Sequence, residues 1–149
     1  MRVVTEGDAR EPRTREPGDL VTGLHHIRIP VTDPWVSRDW YIATLGMVPV
    51  LDEEDEDGVV GVVLRHPEGF VIGLHRDPER AASLKGFAVV GLTLDDHNHL
   101  RQLCTRLDER RIDHSPPEKG HIGWYVNVPD PDGILIRFHT GTAPAAEEA

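Results

Sequence analysis

The strongest constraint on the fold is a nine-residue segment that occurs twice. The chain reads PEGFVIGLH at 67–75 and PDGILIRFH at 131–139, which is 64 positions later. Proline, glycine, isoleucine and histidine recur in register, and aspartate replaces glutamate. One pair differs in chemistry, because Gly73 stands where the second copy has Arg137. Such a repeat indicates one supersecondary unit used twice, each unit burying the open face of the other.

The first half of the chain predicts one strand, one helix and three further strands. Apolar and polar residues alternate over 24–29, as they do in a strand with one polar face. Thr32 or Asp33 is suited to cap a helix that has Pro34 in its first turn and ends at Gly46. Turns rich in Asp, Glu and Gly then separate three predicted strands, VPVLDEED, GVVGVVLRH and GFVIGLH.

The second half repeats this order. FAVVGLTLDD predicts a strand, and a helix starts at Asp95 or Asp96. That helix carries one apolar stripe, which predicts packing rather than reactivity for its cysteine: Leu100, Leu103, Cys104 and Leu107. RIDHSPP, IGWYVNV and GILIRFHT are the remaining predicted strands. The fold class is therefore α+β, built from tandem βαβββ units.

These patterns place one domain at 21–140, with units at about 22–76 and 86–140. The charged, proline-containing residues 1–20 are interpreted as a disordered leader, and 141–149 as a disordered tail. The sequence shows neither a signal peptide nor the run of ~18 apolar residues that spans a bilayer. A single cysteine favours the cytoplasm.

The net charge of −10 argues against a nucleic-acid partner, which would require a basic patch. Strand alternation nevertheless places two arginines on the inward, polar faces, Arg28 on the first strand beside His26 and Arg137 on the last. The same alternation favours inward side chains for Tyr125 and Asn127, and it directs Trp124 and His25 toward the helices. The net negative charge of the chain favours a cationic ligand, whereas the two arginines favour an anionic one. Both ligand charges therefore remain possible.

Three segments together resemble one known family. HHIRIPVTD at 25–33, WYIATLGM at 40–47 and DPDGILIRF at 130–138 are similar to motifs of the vicinal oxygen chelate superfamily, also called the glyoxalase/bleomycin resistance/dioxygenase superfamily. The resemblance covers about 23–140. It implies a cupped mixed sheet from each unit around a cavity, and pairing of units in a homodimer.

Metal enzymes of this family place four ligands on inward strand positions, which correspond here to His26, Gly73, Val89 and Arg137. Only the histidine has a lone pair to donate. We therefore expect no cofactor. A displaced divalent-metal centre at His26, His75 and His139 is the alternative, because the last two histidines lie two residues further along the inward face.

The resemblance and the lost ligands favour a protein that binds and sequesters a small molecule without a metal. Its ligand would lie where Arg28 and Arg137 converge from facing units, with His26, Tyr125 and Asn127 completing the site. Two alternatives remain. One is a metal-dependent lyase, isomerase or dioxygenase that uses His26 with non-standard ligands. The other is a metal-free enzyme with His26 as base and Arg28 as oxyanion stabiliser.

Overall fold

A computed structural model describes residues 16–141, so most of the predicted leader and tail lies outside the described residues. Pro17–Leu20 forms one turn of 3-10 helix. The remaining elements follow in chain order: β1 Ile27–Val31, α1 Pro34–Leu45, β2 Val48–Asp55, β3 Gly58–Arg65, β4 Val71–Arg76, α2 Pro78–Ser83, β5 Ala88–Leu94, α3 His97–Glu109, β6 Glu118–Gly120, β7 Gly123–Pro129 and β8 Leu135–Thr140.

The strands form two mixed four-stranded sheets, one for each half of the chain. Their orders are β1-β4-β3-β2 and β5-β8-β7-β6. In each sheet the first strand of the unit pairs parallel with the last, and the other pairs are antiparallel. The α+β fold of tandem βαβββ units is thereby confirmed, and the repeated segment becomes β4 and β8.

The two long helices begin where the sequence predicts. The Asp33 carboxylate accepts hydrogen bonds from the backbone N–H groups of residues 35 and 36, and α1 ends at Gly46 with φ of 72°. Asp96 caps α3 by accepting from the N–H of His99. Caps of this kind contribute about 1 kcal/mol each and set the angle at which the chain leaves a strand.

A continuous apolar core lies between the sheets and the helices. The strand residues that alternate with the inward faces are almost fully buried: Ile29, Val31, Ile72, Leu74, Val126, Val128 and Ile136. Helices α1 and α3 contribute Tyr41, Leu45, Leu100 and Leu107. Each such side chain gains about 1.5–3 kcal/mol on burial, so the core faces are fixed and the opposite sheet faces are left for ligand contact.

The two units are joined by hydrogen bonds to the DPDG turn between β7 and β8. The buried Tyr41 hydroxyl of α1 donates to the buried Asp130 carboxylate at 2.7 Å. Burial raises the pKa of Tyr41, and the negative charge of Asp130 raises it further. In the same turn, Asp132 accepts from both the backbone and the hydroxyl of Thr32. These bonds fix the first unit against the second.

Two elements differ from the prediction. The segment RIDHSPP at 111–117 is not a strand, and only Glu118–Gly120 pairs with β7. Its two prolines have no N–H to donate to a ladder, and Ser115 alone bonds to Asn127, through its N–H and its hydroxyl.

Helix α2 was not predicted. The Asp77 carboxylate caps it by accepting from the N–H of Arg80, and Pro78 occupies its first position. The N–H of Asp77 donates to Val31 O at 2.9 Å, and Ala81 is fully buried. The connector between the units is therefore held beside β1.

Candidate functional site

The inward face of the first sheet contains a cavity of about 290 Å³. Register pairs Arg28 on β1 with Gly73 on β4, so the arginine lies beside a residue that has no side chain. A Cβ at Gly73 would lie 3.8 Å from the His26 ring. The cavity is lined by His25, His26, Arg28, Leu51, Glu53, Val62, Val63, Val71, Gly73, Leu74 and His75.

Arg28 carries the positive charge of this cavity. Its Nη2 lies 2.8 Å from Nδ1 of His75. A guanidinium has donors only, so Nδ1 of His75 accepts this hydrogen bond. Among residues 16–141, no carboxylate lies within 4.0 Å of the Arg28 side chain. The exposed guanidinium is thus available to an anionic ligand.

His25 does not enter the core, contrary to expectation. It is exposed, and its Nδ1 lies 2.8 Å from Nδ1 of His26. Strand β1 begins only at Ile27, so the alternation of strand side chains does not extend to the two histidines. Both imidazoles therefore line the cavity, and one donates to the other.

A second cavity of about 560 Å³ adjoins the first, because Arg28 and His75 line both. Its other walls come from Pro30 and from the α2 region: Asp77, Arg80, Ser83 and Leu84. Sequence analysis missed this contribution, although the Asp77–Pro78 pair is a helix-start signal.

The second sheet presents its own inward face. Arg137 Nε donates to Asn127 Oδ1 at 2.9 Å, and its guanidinium lies 4.0 Å from the centre of the Tyr125 ring. Tyr125 and Asn127 thus share one face of the second sheet with Arg137, and their contact with a ligand stays a prediction. Desolvation lowers the pKa of His139, and the charge of Arg137 lowers it further, which favours a neutral imidazole on this face.

Arginine and glycine exchange places between the units. In the first sheet Arg28 is on β1 and Gly73 on β4, whereas in the second Gly91 is on β5 and Arg137 on β8. Each inward face therefore has one guanidinium next to one glycine. The difference between Gly73 and Arg137 in the repeat is therefore accompanied by the reverse difference between Arg28 and Gly91. Each glycine leaves space beside its neighbouring arginine.

Arg28 and Arg137 lie on different sheets, because each unit closes its own hydrogen-bonded sheet. The cavities of about 290 and 560 Å³ that Arg28 lines are bounded by residues 25–84. The convergence of the two arginines therefore stays a prediction.

A third cavity of about 730 Å³ runs along β5, between the units. Apolar side chains, among them Leu45, Phe70 and Leu92, form much of its lining. Its charged residues are Glu68 and Asp95, with histidines and without lysine or arginine. It therefore lacks the guanidinium that the two cavities at Arg28 have.

The family's four metal-ligand positions do not fit a divalent ion here. Gly73 and Val89 have no donor atoms, and the Arg137 guanidinium brings a positive charge. Among residues 16–141, no group of three or more His, Cys, Asp or Glu side chains is placed to hold a metal, so His26, His75 and His139 are not gathered into a ligand set.

Comparison with known proteins agrees with this architecture. The family model of the Glyoxalase/Bleomycin resistance protein/Dioxygenase superfamily matches residues 23–138. The chain belongs to this superfamily. No curated protein sequence matches it. Within residues 16–141, no helix combines the length and apolar character needed to cross a membrane.

Solved structures of this superfamily share the fold at low sequence identity. TnmS3, an antibiotic binding protein from Streptomyces sp. CB03234, is 23% identical with a TM-score of 0.67, over 83% of this chain and 98% of that one. The fosfomycin resistance protein FosX from Listeria monocytogenes is 16% identical with a TM-score of 0.68, over 83% and 96%. A superfamily domain from Frankia sp. EAN1pec is 18% identical with a TM-score of 0.64, over 85% and 97%.

Proposed function

We propose that this protein binds a small organic acid at Arg28 and does so without the metal centre of the family's enzymes. The observation that carries the proposal is the Arg28 guanidinium, which lines two cavities and has a histidine rather than a carboxylate as its partner within residues 16–141. An exposed guanidinium with unused donors pairs readily with a carboxylate.

The surroundings of Arg28 support an acid with an apolar body. The smaller cavity is lined by valines and leucines, together with Arg28, three histidines and Glu53. A few polar groups within apolar walls are typical of small-molecule sites. Small-molecule binding also agrees with the fold shared with an antibiotic binding protein and a fosfomycin resistance protein.

Hydrocinnamate, its neutral amide and phenylpropylamine form a probe series with one apolar skeleton and three charges. We expect calorimetric titration to show the order acid, amide, amine, and we expect Arg28→Ala to weaken hydrocinnamate by about tenfold to a hundredfold. The reason is that a hydrogen bond to a charged group contributes about 1.5–3 kcal/mol. Arg65→Ala is the matched control, because Arg65 ends β3 in the same sheet and lines none of the three cavities.

Equal losses of hydrocinnamate affinity in Arg28→Ala and Arg65→Ala would contradict the proposal, since the affinity would then depend only on the overall charge of the protein. If the protein prefers the amine, the acidic cavity along β5 becomes the better candidate for the binding site. Retention of stoichiometric divalent metal by untagged protein, lost in His26→Ala, would support the metal-dependent enzyme. Turnover of a bound acid that requires His26 without metal would support the metal-free enzyme.

We also propose a homodimer, in which the second-sheet face of one copy covers the first-sheet face of the other. Strand β2 supports it, because this edge strand is exposed along its whole length. Val48, Val50 and Leu51 are each at least half exposed, and Leu51 lines the Arg28 cavity. An exposed apolar edge strand beside a ligand cavity is suited to be covered by a partner.

Mixing the variants Arg28→Ala and Arg137→Ala, each of which we expect to bind hydrocinnamate weakly, tests this arrangement. In a dimer of Arg28→Ala with Arg137→Ala, one cavity lacks both arginines and the other has both. We therefore expect hydrocinnamate binding to reappear after the two variants are unfolded together and refolded, and not when each is refolded alone. Sedimentation analysis of the same samples checks that dimers form. If both variants bind weakly alone and mixing restores nothing, the two arginines do not share a cavity.

A further inference from the structure

The cavity beside α2 adjoins the proposed acid site and has different chemistry. The smaller cavity is lined by five apolar side chains, five polar ones and Gly73, whereas the cavity of about 560 Å³ has five polar side chains and only two apolar ones, Pro30 and Leu84. Arg28 and His75 belong to both. They form a shared boundary between a more apolar compartment and a polar compartment.

The polar compartment is held in shape by contacts of the connector. Arg80 Nη1 lies 2.7 Å from an oxygen of Asp77, whose other oxygen accepts from the N–H of Arg80. The Ser83 hydroxyl donates to Arg80 O at 2.8 Å. Fully buried Ala81 fixes the helix beneath them. Donors and acceptors are thus present on a wall that is already ordered.

Charge in this compartment is nearly balanced away from Arg28. The guanidinium of Arg80 is paired with the Asp77 carboxylate, which lowers the pKa of Asp77 through a direct hydrogen bond. Such a wall suits uncharged hydroxyl and amide groups, which accept from the guanidinium and donate to the carboxylate. Within residues 16–141 Arg28 has no carboxylate partner, and its charge lies at the boundary.

We infer that the two cavities are compartments of one binding site, and that its ligand is a branched acid with three parts. An apolar ring lies in the smaller compartment, the carboxylate pairs with Arg28, and a chain bearing hydroxyl or amide groups extends along α2. This inference rests on the proposed function. It adds the connector helix as the element that selects among acids.

Two acids that share a ring and a carboxylate test the inference. N-gluconoylphenylalanine adds a hydroxylated acyl chain to the skeleton of hydrocinnamate. We expect the wild-type protein to bind it at least about tenfold more tightly, the gain given by one or two added hydrogen bonds. Ser83→Phe, which fills the polar compartment, should abolish this preference.

Ala82→Phe is the matched control, because Ala82 is an exposed neighbour on α2 that does not line the cavity. It should keep the tenfold preference. Ser83→Leu is the second variant, with a smaller side chain that also occupies the compartment, in case the phenylalanine disturbs folding. It should reduce the preference in the same direction.

The outcomes separate this inference from the proposed function. Equal wild-type affinity for the two acids, with both weakened by Arg28→Ala, overturns the second compartment and leaves acid binding standing. A preference that survives both Ser83 variants also overturns it. If Arg28→Ala leaves the affinity for both acids unchanged, the proposed function and this inference are both overturned.

Discussion

Replacing Asp130 by alanine is expected to lower the free energy of unfolding by more than about 3 kcal/mol. The buried carboxylate accepts from the Tyr41 hydroxyl and from the N–H groups of Asp132 and Ile134. Each buried donor left without a partner costs about 1–3 kcal/mol. Because a domain is stable by only about 5–15 kcal/mol, denaturant unfolding followed by circular dichroism resolves the loss easily.

Asp132→Ala is the matched control in the same turn. Asp132 also joins the units, but its partner is the exposed Thr32, whose N–H and hydroxyl can bond to water instead. We expect a loss of about 1 kcal/mol. Similar losses at the two positions would show that burial of the Tyr41–Asp130 bond adds nothing to the join between the units.

Replacing Gly123 by alanine is expected to cost about 3 kcal/mol or more. Gly123 begins β7 with φ of 110°, and an added Cβ would lie 2.6 Å from the carbonyl oxygen of Thr140. A positive φ costs a non-glycine residue about 1–3 kcal/mol, and the clash is with backbone, which cannot rotate away. The displaced strand also carries Tyr125 and Asn127, so the second inward face should change with it.

Gly69→Ala separates the two contributions. Gly69 has a similar φ of 106°, but nothing lies within 4 Å of its added Cβ. We expect it to cost about 1 kcal/mol, from backbone conformation alone. If Gly69→Ala is as harmful as Gly123→Ala in the same unfolding experiment, the close approach to Thr140 is unimportant.

Local signals were sufficient for most of the fold. The caps at Asp33 and Asp96 act within three residues, and strand alternation at Tyr125 and Asn127 depends only on the period of two. The repeat predicted that β4 and β8 would hold equivalent positions. These features need no knowledge of the rest of the chain.

The relation between Arg28 and Arg137 could not be predicted in the same way. It depends on how one unit lies against the other, which long-range contacts such as Tyr41–Asp130 determine. Helix α2 was missed because six residues are too few to show an apolar period, and the strand at RIDHSPP was predicted despite its prolines. The sequence therefore predicted which face of its strand a site residue occupies, but it did not predict which of these residues line the same cavity.

Helix α2 belongs to neither repeat, and Ala81 is its one buried residue. Substitutions at its exposed positions change the wall of a cavity while the duplicated cores keep their packing, and surface changes usually cost less than about 0.5 kcal/mol. We therefore expect a mutant library confined to residues 78–84, with Ala81 kept, to alter ligand preference with little loss of folded protein. The segment that joins the two repeats is thus the part of the site that can vary with the least cost in stability.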